Sequence, residues 1–531
     1  MKKKAARLYA LLPWALLALC FAGYVTFLAL CIDKLVDSDM ATEMVYAKML
    51  RDEGVFLSPH WLFSTEIRLM QTQVVFTPLL YLTNNWHVVR VVGSALMIAG
   101  LIAAMGYLCS RLKLRRMIPW AGILVLTPFS MEYFNNILRG QYYTMCLIEA
   151  VLVVAMCVHW MQTNRRSTGW VLAALTCLLS LGLGASGLRA VLTLFMPLGV
   201  TAFLLYLLSQ YQRGLPRREA GRFLIISAAA CISAAVGLLL YVKLITPNYI
   251  IGGGRNALFI GGSTEPAFTG LSLARLETLL NDALTVLGWQ NGRLFSWALV
   301  GNLLAGCLVV LVLAIGVRAL RRNPPLPGEH QQLLLLWAVA AAIFGLFHLL
   351  VNQDSAPRYH LLVLVYLLPV LLIWFENPIR LPWLNRLMAG ALALLMAVNG
   401  LHIYGQRATE ENWTAQYHHM AEAMLEEGYQ EVYATFWYPG NVLTEFTNGQ
   451  LTVRLWNPVV TELEDFYMIG QDVRLTQTRP EGAFCLVFFD GDRIQHPLRE
   501  RLNESDIIWQ NDHYSVYGYA SYEEFLLLTE A

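Results

Sequence analysis

The run "LYALLPWALLALCFAGYVTFLALCI" (residues 8–32) decides the class of fold. An α-helix needs about 20 apolar residues to cross a bilayer, and this run reaches that length. It follows a basic start, "MKKKAAR", as a signal peptide would. However, it is too long for a cleaved apolar region, and no small-residue cleavage site follows it. We therefore interpret it as a retained first membrane span.

The composition of the whole chain indicates the same class. Its 531 residues are 57% hydrophobic and 14% charged, with a mean hydropathy of +0.49, whereas a soluble protein carries roughly a quarter charged residues. Inside lipid the backbone must satisfy its own hydrogen bonds, so the apolar runs are expected to be helices. The sequence predicts a polytopic α-helical membrane protein with about eleven transmembrane helices, at 9–32, 88–109, 117–131, 142–161, 169–184, 189–208, 223–245, 295–317, 333–351, 359–375 and 387–404.

Charge and cysteine content argue against several classes of function. The net charge is +1 and no Lys/Arg-rich tract stands out beyond short loop clusters, so we expect no nucleic-acid partner. The nine cysteines lie mostly within apolar runs, and no C-x-x-C pair occurs. That pattern fits neither a disulfide framework nor a zinc site.

The distribution of basic residues predicts the orientation in the membrane. Lysine and arginine precede the first span and follow the second ("RLKLRR"), the fourth, the sixth ("QRGLPRREAGR") and the eighth ("RALRRNPP"). All these loops fall on one side, which the positive-inside rule makes cytoplasmic. The N-terminus is then inside, in a cell membrane. The transmembrane domain (1–404) has its long loops, 33–87 and 246–294, on the outer face, and the tail 405–531 is extracytoplasmic.

The tail predicts a small soluble α/β domain. "WTAQYHHMAEAMLEEG" has helical spacing and ends at Gly428, a residue typical of helix C-termini. Short β-branched and aromatic runs bounded by turn residues predict strands: "EVYATF", "LTVRLW", "FCLVFF" and "HYSVYGYA". The domain could serve packing or partner binding, or it could cap a substrate site, and both interpretations stay open.

The first outer loop opens with "LVDSDMATEMVYAKMLRDEG" (residues 35–54), which predicts an amphipathic helix lying on the membrane surface. Met44, Ala47 and either Leu50 or Met49 form its apolar stripe. Asp39 lies at the start of this helix, where an aspartate is a preferred N-cap. By that interpretation Asp39 is a cap and the neighbouring Asp37 is solvated; the alternative is catalysis.

Three arginines lie on the outer face, against the positive-inside trend. They are Arg139 in "NNILRGQYY", Arg189 in "GASGLRA" and Arg358 in "NQDSAPRYH". A guanidinium group matches the geometry of a phosphate, and charged groups near the hydrocarbon usually face a cavity. The alternative for each arginine is a side chain that reaches from the interface into water.

These motifs resemble class C membrane glycosyltransferases, above all the group of protein O-mannosyltransferases and aminoarabinose–lipid A transferases. An aspartate just after the first span, at Asp39, precedes a surface helix with "YAKML" that ends at Gly54. The segment "APRYHLLVLVYLLPVLL" is similar to the family's late Arg-Tyr span. The sequence departs from the family in having Met40 after Asp39, where glutamate is frequent, and Gln141 where an acidic residue is common.

The resemblance implies an inverting glycosyltransferase whose donor is a sugar on a polyprenyl phosphate, with Asp39 as general base and Asp37 beside it. The acceptor is not identified by the sequence. A divalent metal is possible, although no set of metal ligands can be assembled. The implied substrate-binding residues are Glu66, Arg68, Tyr142 and Tyr143 for the sugar, Arg139, Arg189, Arg358, Lys243 and His360 for the phosphate, and Gln141 and Tyr359 from the matching motifs.

Two other functions remain open from the sequence. A lipid or sugar transporter or flippase is favoured by one feature, the glycine-rich break at Gly182, Gly184 and Gly187, because transporters often have interrupted spans. A non-catalytic membrane scaffold would instead use the domain 405–531 to bind a partner. In the scaffold the two aspartates would be replaceable.

Overall fold

A computed structural model describes most of the chain, in which helices predominate. The described residues are 2–63, 67–211, 215–251, 271–292, 296–320, 326–351, 356–376, 382–435, 439–456, 470–490 and 502–530. The α-helices are α1 Lys2–Leu35, α2 Ser38–Glu53, α3 Gln73–Leu80, α4 Trp86–Arg111, α5 Ile118–Leu126, α6 Met131–Tyr133, α7 Thr144–Gln162, α8 Arg166–Gly184, α9 Leu188–Ala190, α10 Met196–Gln210, α11 Arg217–Leu240, α12 Leu273–Val286, α13 Ala298–Leu320, α14 Gly328–Leu350, α15 Leu361–Glu376, α16 Pro382–Thr409, α17 Ala415–Glu426, α18 Val442–Phe446, α19 Val473–Gln477 and α20 Tyr522–Glu530. Segments of π-helix lie at Phe134–Arg139, Val191–Phe195 and Tyr241–Ile245, and 3₁₀ turns at Arg115–Met117, Thr246–Asn248, Pro357–His360 and Glu504–Asp506. The strands are β1 Leu62–Phe63, β2 Ile250–Ile251, β3 Glu431–Thr435, β4 Thr452–Trp456, β5 Phe484–Phe489, β6 Ile507–Gln510 and β7 Tyr514–Tyr519.

Within the described residues, ten helical segments are long and apolar enough to cross a membrane. The predicted polytopic helical membrane fold is thereby confirmed. At the centre of the bundle, every residue of α15 from Leu361 to Trp374 is buried, as expected of a helix that is apolar on all sides. The ten segments are Leu11–Leu35, Trp86–Arg111, Thr144–Gln162, Arg166–Gly184, Leu188–Gln210, Arg217–Asn248, Ala298–Ala319, Gly328–Leu350, Pro357–Glu376 and Trp383–Thr409.

The predicted span 117–131 is the one that differs. Here the helix α5 ends at Leu126, because Thr127 precedes a proline and is extended, with φ −94° and ψ 113°. The next helix starts where the Ser130 hydroxyl accepts a hydrogen bond from the Tyr133 amide at 3.1 Å. Two short helices therefore replace the single predicted span. The first is α5, and the second is α6, which continues as the π-helical segment Phe134–Arg139. Such a break is tolerated at membrane depth because protein encloses it.

The described basic segments after α4, after α7 and at the start of α11 share one face of the bundle, which we call the basic face. The carbonyl of Leu112, just after α4, contacts the His330 ring at 3.0 Å, and Lys113 Nζ lies 2.5 Å from a carboxylate oxygen of Glu329 at the start of α14. Arg222 of α11 donates to the carbonyl of Trp160 near the end of α7 at 2.9 Å. The grouping on which the predicted orientation rests is thus present in the fold.

On the opposite face, α2 has the predicted apolar stripe, but this stripe packs against other parts of the protein. Met44 and Ala47 pack with Phe76 of α3 and Trp86 of α4. Tyr46 and Leu50, on another side of the helix, pack with Trp61 and Tyr241. The helix is therefore enclosed by protein on several sides, and the prediction of an amphipathic helix lying on the membrane surface is wrong in that respect.

The C-terminal part contains the expected small α/β domain. Its five strands have the order β4-β3-β5-β7-β6, in which β4, β3 and β5 are parallel and β7 is antiparallel to both of its neighbours. The four predicted strands are present, and β6 is an additional edge strand. Helix α17 closes at Gly428, whose φ of +86° is a conformation that favours glycine.

This domain is joined to the membrane bundle by buried polar contacts. Arg90 of α4 and Glu445 of α18 form an ion pair in which the side chains are only 1% and 5% exposed. Arg90 also donates to the carbonyl of Met40 in α2 at 2.9 Å. A second junction is a short ladder in which residues 60–62 exchange backbone hydrogen bonds with residues 470–473.

Candidate functional site

The two aspartates at the start of α2 have different environments. Asp37 is extended, with φ −114° and ψ 175°, and its Oδ1 accepts a hydrogen bond from the Met40 amide at 3.0 Å. Asp37 is therefore the N-cap, and the assignment of that role to Asp39 is wrong. Asp39 lies one residue inside the helix with an exposed side chain. Among the residues that the structure describes, none donates a hydrogen bond to its carboxylate.

The remaining bonding capacity of Asp37 is also used. The Tyr142 hydroxyl donates to Asp37 Oδ1 at 2.8 Å, and Arg139 forms an ion pair with Oδ2. Burial raises the pKa of the Tyr142 phenol well above its ordinary value, so the hydroxyl stays protonated and acts as the donor. Asp37, which the sequence predicted to be solvated, therefore anchors α2 to the segment before α7.

Asp39 lies among charged side chains. The pKa of its carboxyl is raised to about 6, first because surrounding protein displaces water and second because Asp37 is close. Arg358, Arg139 and Arg68 act in the opposite direction, since their positive charges favour the carboxylate. The residue as a whole is nevertheless exposed. Asp39 thus combines access with a pKa suited to proton exchange near neutral pH.

One helical turn further along α2, Glu43 faces the same loop. Its two carboxylate oxygens accept hydrogen bonds from the side chains of Gln71 and Thr72. Burial raises the pKa of this carboxyl as well, and the Thr72 hydrogen bond and the Arg68 charge oppose the shift. Glu43 therefore fixes the loop that carries Arg68 beside Asp39.

Three arginines and two tyrosines from separate segments form an alternating column, which we call the arginine–tyrosine stack. The Arg68 guanidinium lies 5.7 Å from the ring centre of Tyr143, and that of Arg189 lies 5.3 Å from the same ring. Arg189 also lies 5.7 Å from the ring centre of Tyr359, and Arg358 lies 5.4 Å from it. The faces of aromatic rings attract cations, so the tyrosines hold three like charges close together.

A narrow pocket opens beside this stack, and its cavity volume of about 20 Å³ is enough for a water molecule. One wall is the loop that carries Arg68, which is held in place where the Leu69 amide donates to the Ser186 hydroxyl at 3.2 Å. Other walls come from α7, α8 and α9. The polar lining consists of Arg68, Tyr143, Glu149, Ser186 and Arg189, and the apolar lining of Met70, Cys146, Leu183 and Ala190.

Several other predicted site residues are not part of the arginine–tyrosine stack. Gln141 is buried with φ +53° and bonds the Leu138 carbonyl at 2.7 Å and the Ser94 hydroxyl at 2.9 Å, so its amide is used within the fold. His360 packs against the Phe344 ring at 4.9 Å between ring centres. Lys243 is exposed in a π-helical segment, and no contact among the described residues joins it to the stack. Glu66 lies outside the described residues.

The arrangement suits an anion beside a base more clearly than it suits a metal ion. Within the described part of the chain, no group of three or more histidine, cysteine, aspartate or glutamate side chains could hold a metal. Guanidinium groups, in contrast, are well suited to bind and stabilise a phosphate. Arg68 connects the base with the anion site. Its charge lowers the pKa of the Asp39 carboxyl, and its side chain also lines the pocket.

The chain matches no protein-family model and no curated protein sequence. The resemblance to class C glycosyltransferases therefore rests on the sequence motifs alone.

Two acidic residues of this region were not among the predicted site residues. Glu43 carries a recoverable signal, because it lies four residues after Asp39 and so on the same face of α2. Glu149 carries a stronger one, since it is an ionisable residue inside an otherwise apolar span, and such residues usually mark functional sites.

Proposed function

We propose that this protein is an integral membrane glycosyltransferase that moves a sugar from a polyprenyl-phosphate donor to an acceptor hydroxyl. The observation that carries the proposal is the state of Asp39. Its neighbour Asp37 takes over the capping of α2, which leaves the Asp39 carboxylate accessible beside arginines. A structural aspartate would be saturated by hydrogen bonds, as Asp37 is.

The arginine–tyrosine stack supports a phosphate-bearing donor. Three guanidinium groups are more than a neutral ligand needs, and each can bond two phosphate oxygens. The adjoining narrow pocket presents polar side chains to a glycosyl group, which it would admit only by widening. The surrounding spans provide apolar surface for an isoprenoid tail. We assign phosphate binding to Arg68, Arg189 and Arg358 because they form the stack. Arg139, which forms an ion pair with Asp37, has a positioning role.

The reaction follows from these groups. The Asp39 carboxylate takes the proton of the acceptor hydroxyl as the acceptor oxygen bonds to the anomeric carbon. The bond from that carbon to the phosphate oxygen breaks, and the polyprenyl phosphate leaves with the electron pair, so the anomeric centre is inverted. The arginines stabilise the charge that develops on the leaving phosphate. A positioned base of this kind contributes about 10²–10⁴-fold to a rate.

We further propose that the reaction takes place on the outer face of a cell membrane. The basic face of the bundle is cytoplasmic by the positive-inside rule, and Asp39, the stack and the C-terminal domain lie on the opposite face. The N-terminus is then cytoplasmic and the C-terminal domain extracytoplasmic.

Replacement of Asp39 by Asn tests the proposal. Amide and carboxylate have the same shape, so the fold is expected to persist while transfer from a polyprenyl-phosphate sugar falls by about 100-fold or more. The matched control is Asp37→Asn, which keeps a good N-cap residue and should retain more activity. The assay is the release of polyprenyl phosphate by membranes that contain each variant.

Transfer at a near-normal rate by the Asp39→Asn protein would rule out this base. Movement of the lipid-linked sugar across the membrane by that same variant, with no transfer product from the native protein, would favour a transporter.

A further inference from the structure

Glu149 lines the pocket but has no role in the reaction proposed above. It belongs to α7, is 4% exposed, and lines the pocket together with Arg68 and Arg189. Both guanidinium groups lie at the level of the Tyr143 ring, next to the start of α7. Glu149 is six residues further along the chain, which is about 9 Å deeper at 1.5 Å per residue. The pocket therefore has cations at one end and a carboxyl group at the other.

The carboxyl group of Glu149 is not bonded to any residue that the structure describes. No hydrogen bond or ion pair joins its carboxyl to any side chain or backbone group in the part of the chain that the structure describes. Its neighbours in the pocket wall include Cys146, Leu183 and Ala190, which are apolar or weakly polar. A carboxyl group without a partner is unfavourable in such a place, and acids retained inside spans usually serve a ligand.

We propose that Glu149 recognises the glycosyl group of the donor, by accepting a hydrogen bond from one of its hydroxyl or ammonium groups. The inference rests on the proposed function, because it places the donor phosphate at Arg68 and Arg189. A glycosyl unit attached to that phosphate would point toward Glu149 as the narrow pocket widens around it. The ligand class is then an anion that carries a hydrogen-bond donor within one sugar ring of the phosphate.

The test measures binding rather than turnover. The purified full-length protein in nanodiscs is titrated with three probes: undecaprenyl phosphate, the same lipid linked to glucose, and the same lipid linked to an amino sugar. We expect the native protein to bind at least one glycosylated lipid more tightly than the bare phosphate. Glu149→Ala should weaken binding of that lipid by about tenfold or more and leave binding of the bare phosphate unchanged.

The isosteric variant Glu149→Gln distinguishes a hydroxyl from an ammonium group as the part of the ligand that bonds Glu149. Glutamine still accepts a hydrogen bond, so a hydroxyl ligand should keep most of its affinity. An ammonium ligand should lose most of its preference, because its partner is no longer charged. Either result identifies the group that Glu149 binds.

A variant of a second buried acidic residue serves as the control for effects on folding. Removal of an unpartnered carboxyl from an apolar wall is expected to leave the melting temperature of the Glu149→Gln protein unchanged or higher. Glu329→Gln is the matched control, since Glu329 is a buried acid on the basic face, paired with the largely exposed Lys113. It should bind all three lipids as the native protein does.

Two results would overturn the inference. Equal binding of the glycosylated lipids by Glu149→Ala and native protein would remove Glu149 from recognition, yet leave the glycosyltransferase proposal intact. Failure of the native protein to bind any of the three lipids would overturn both.

Discussion

At the scale of single residues, the contrast between Asp37 and Asp39 predicts opposite effects on stability. The ionised form of Asp39 is disfavoured in the fold, as its pKa of about 6 indicates. The folded protein therefore gains stability relative to the unfolded chain as the pH falls through about 6. Asp39→Asn removes this dependence and should raise the melting temperature at pH 7.

Asp37→Ala should lower the melting temperature instead. It removes an N-cap, worth about 0.5–2 kcal/mol, and it leaves Arg139 without its carboxylate partner. Thermal unfolding in detergent at pH 7 and pH 5 measures both variants. Equal destabilisation by the two changes would contradict the division of roles between these aspartates.

A second prediction at this scale concerns the pH dependence of transfer. Asp39 acts as a base only when it is deprotonated, so the rate should fall as the pH drops below about 6. The positive charge of Arg358 lowers the pKa of Asp39. Arg358→Gln should therefore raise that pKa and move the acid limb of the pH–rate profile to higher pH. An acid limb in the same place as in the native enzyme would argue against the base role of Asp39.

At the scale of elements, the function of α2 depends on what encloses it. Arg90 of α4 and Glu445 of α18 form a pair buried from solvent, and Arg90 also holds the Met40 carbonyl in the first turn of α2. The C-terminal domain is thus connected to the turn that carries Asp39 through one guanidinium group. The scaffold alternative gives no reason for such a connection to α2.

This connection predicts that replacing only one partner of the Arg90–Glu445 pair strongly destabilises the protein. Glu445→Leu leaves the Arg90 charge buried and unpaired, which should destabilise the protein by about 3–5 kcal/mol. Addition of Arg90→Met should restore most of that stability, since an apolar pair can replace a buried ion pair. Chemical denaturation of the single and double variants measures the coupling. A single variant as stable as the native protein would show that the pair is unimportant.

At the scale of the whole molecule, the fold separates a basic face from the face that carries the site. We predict that a cysteine in place of Gly482, exposed in the C-terminal domain, reacts with a membrane-impermeant maleimide added to intact cells. A cysteine in place of Arg116, exposed on the basic face, should react only after the cells are opened. Labelling of the native cysteines gives the background, and the reverse pattern would invert the proposed orientation.

The sequence by itself determined the class of fold, most of the spans and the strands of the C-terminal domain. These depend on local properties, namely the length of apolar runs and the residues that bound them, because lipid forces each run to satisfy its own hydrogen bonds. It also identified Asp39, Arg68, Arg189 and Arg358 as candidates. The short α5 was within reach too, since Pro128 lies two residues after its last residue, Leu126.

Only the tertiary structure decided how these residues are used. Asp37, which caps α2, is held by Arg139 and Tyr142, about a hundred residues away in the chain. The arginine–tyrosine stack combines four separate segments, and the pocket places Glu149 below it. The physical reason is that a side chain's role depends on the partners that reach it, and partners distant in the chain leave no periodic signal in the sequence.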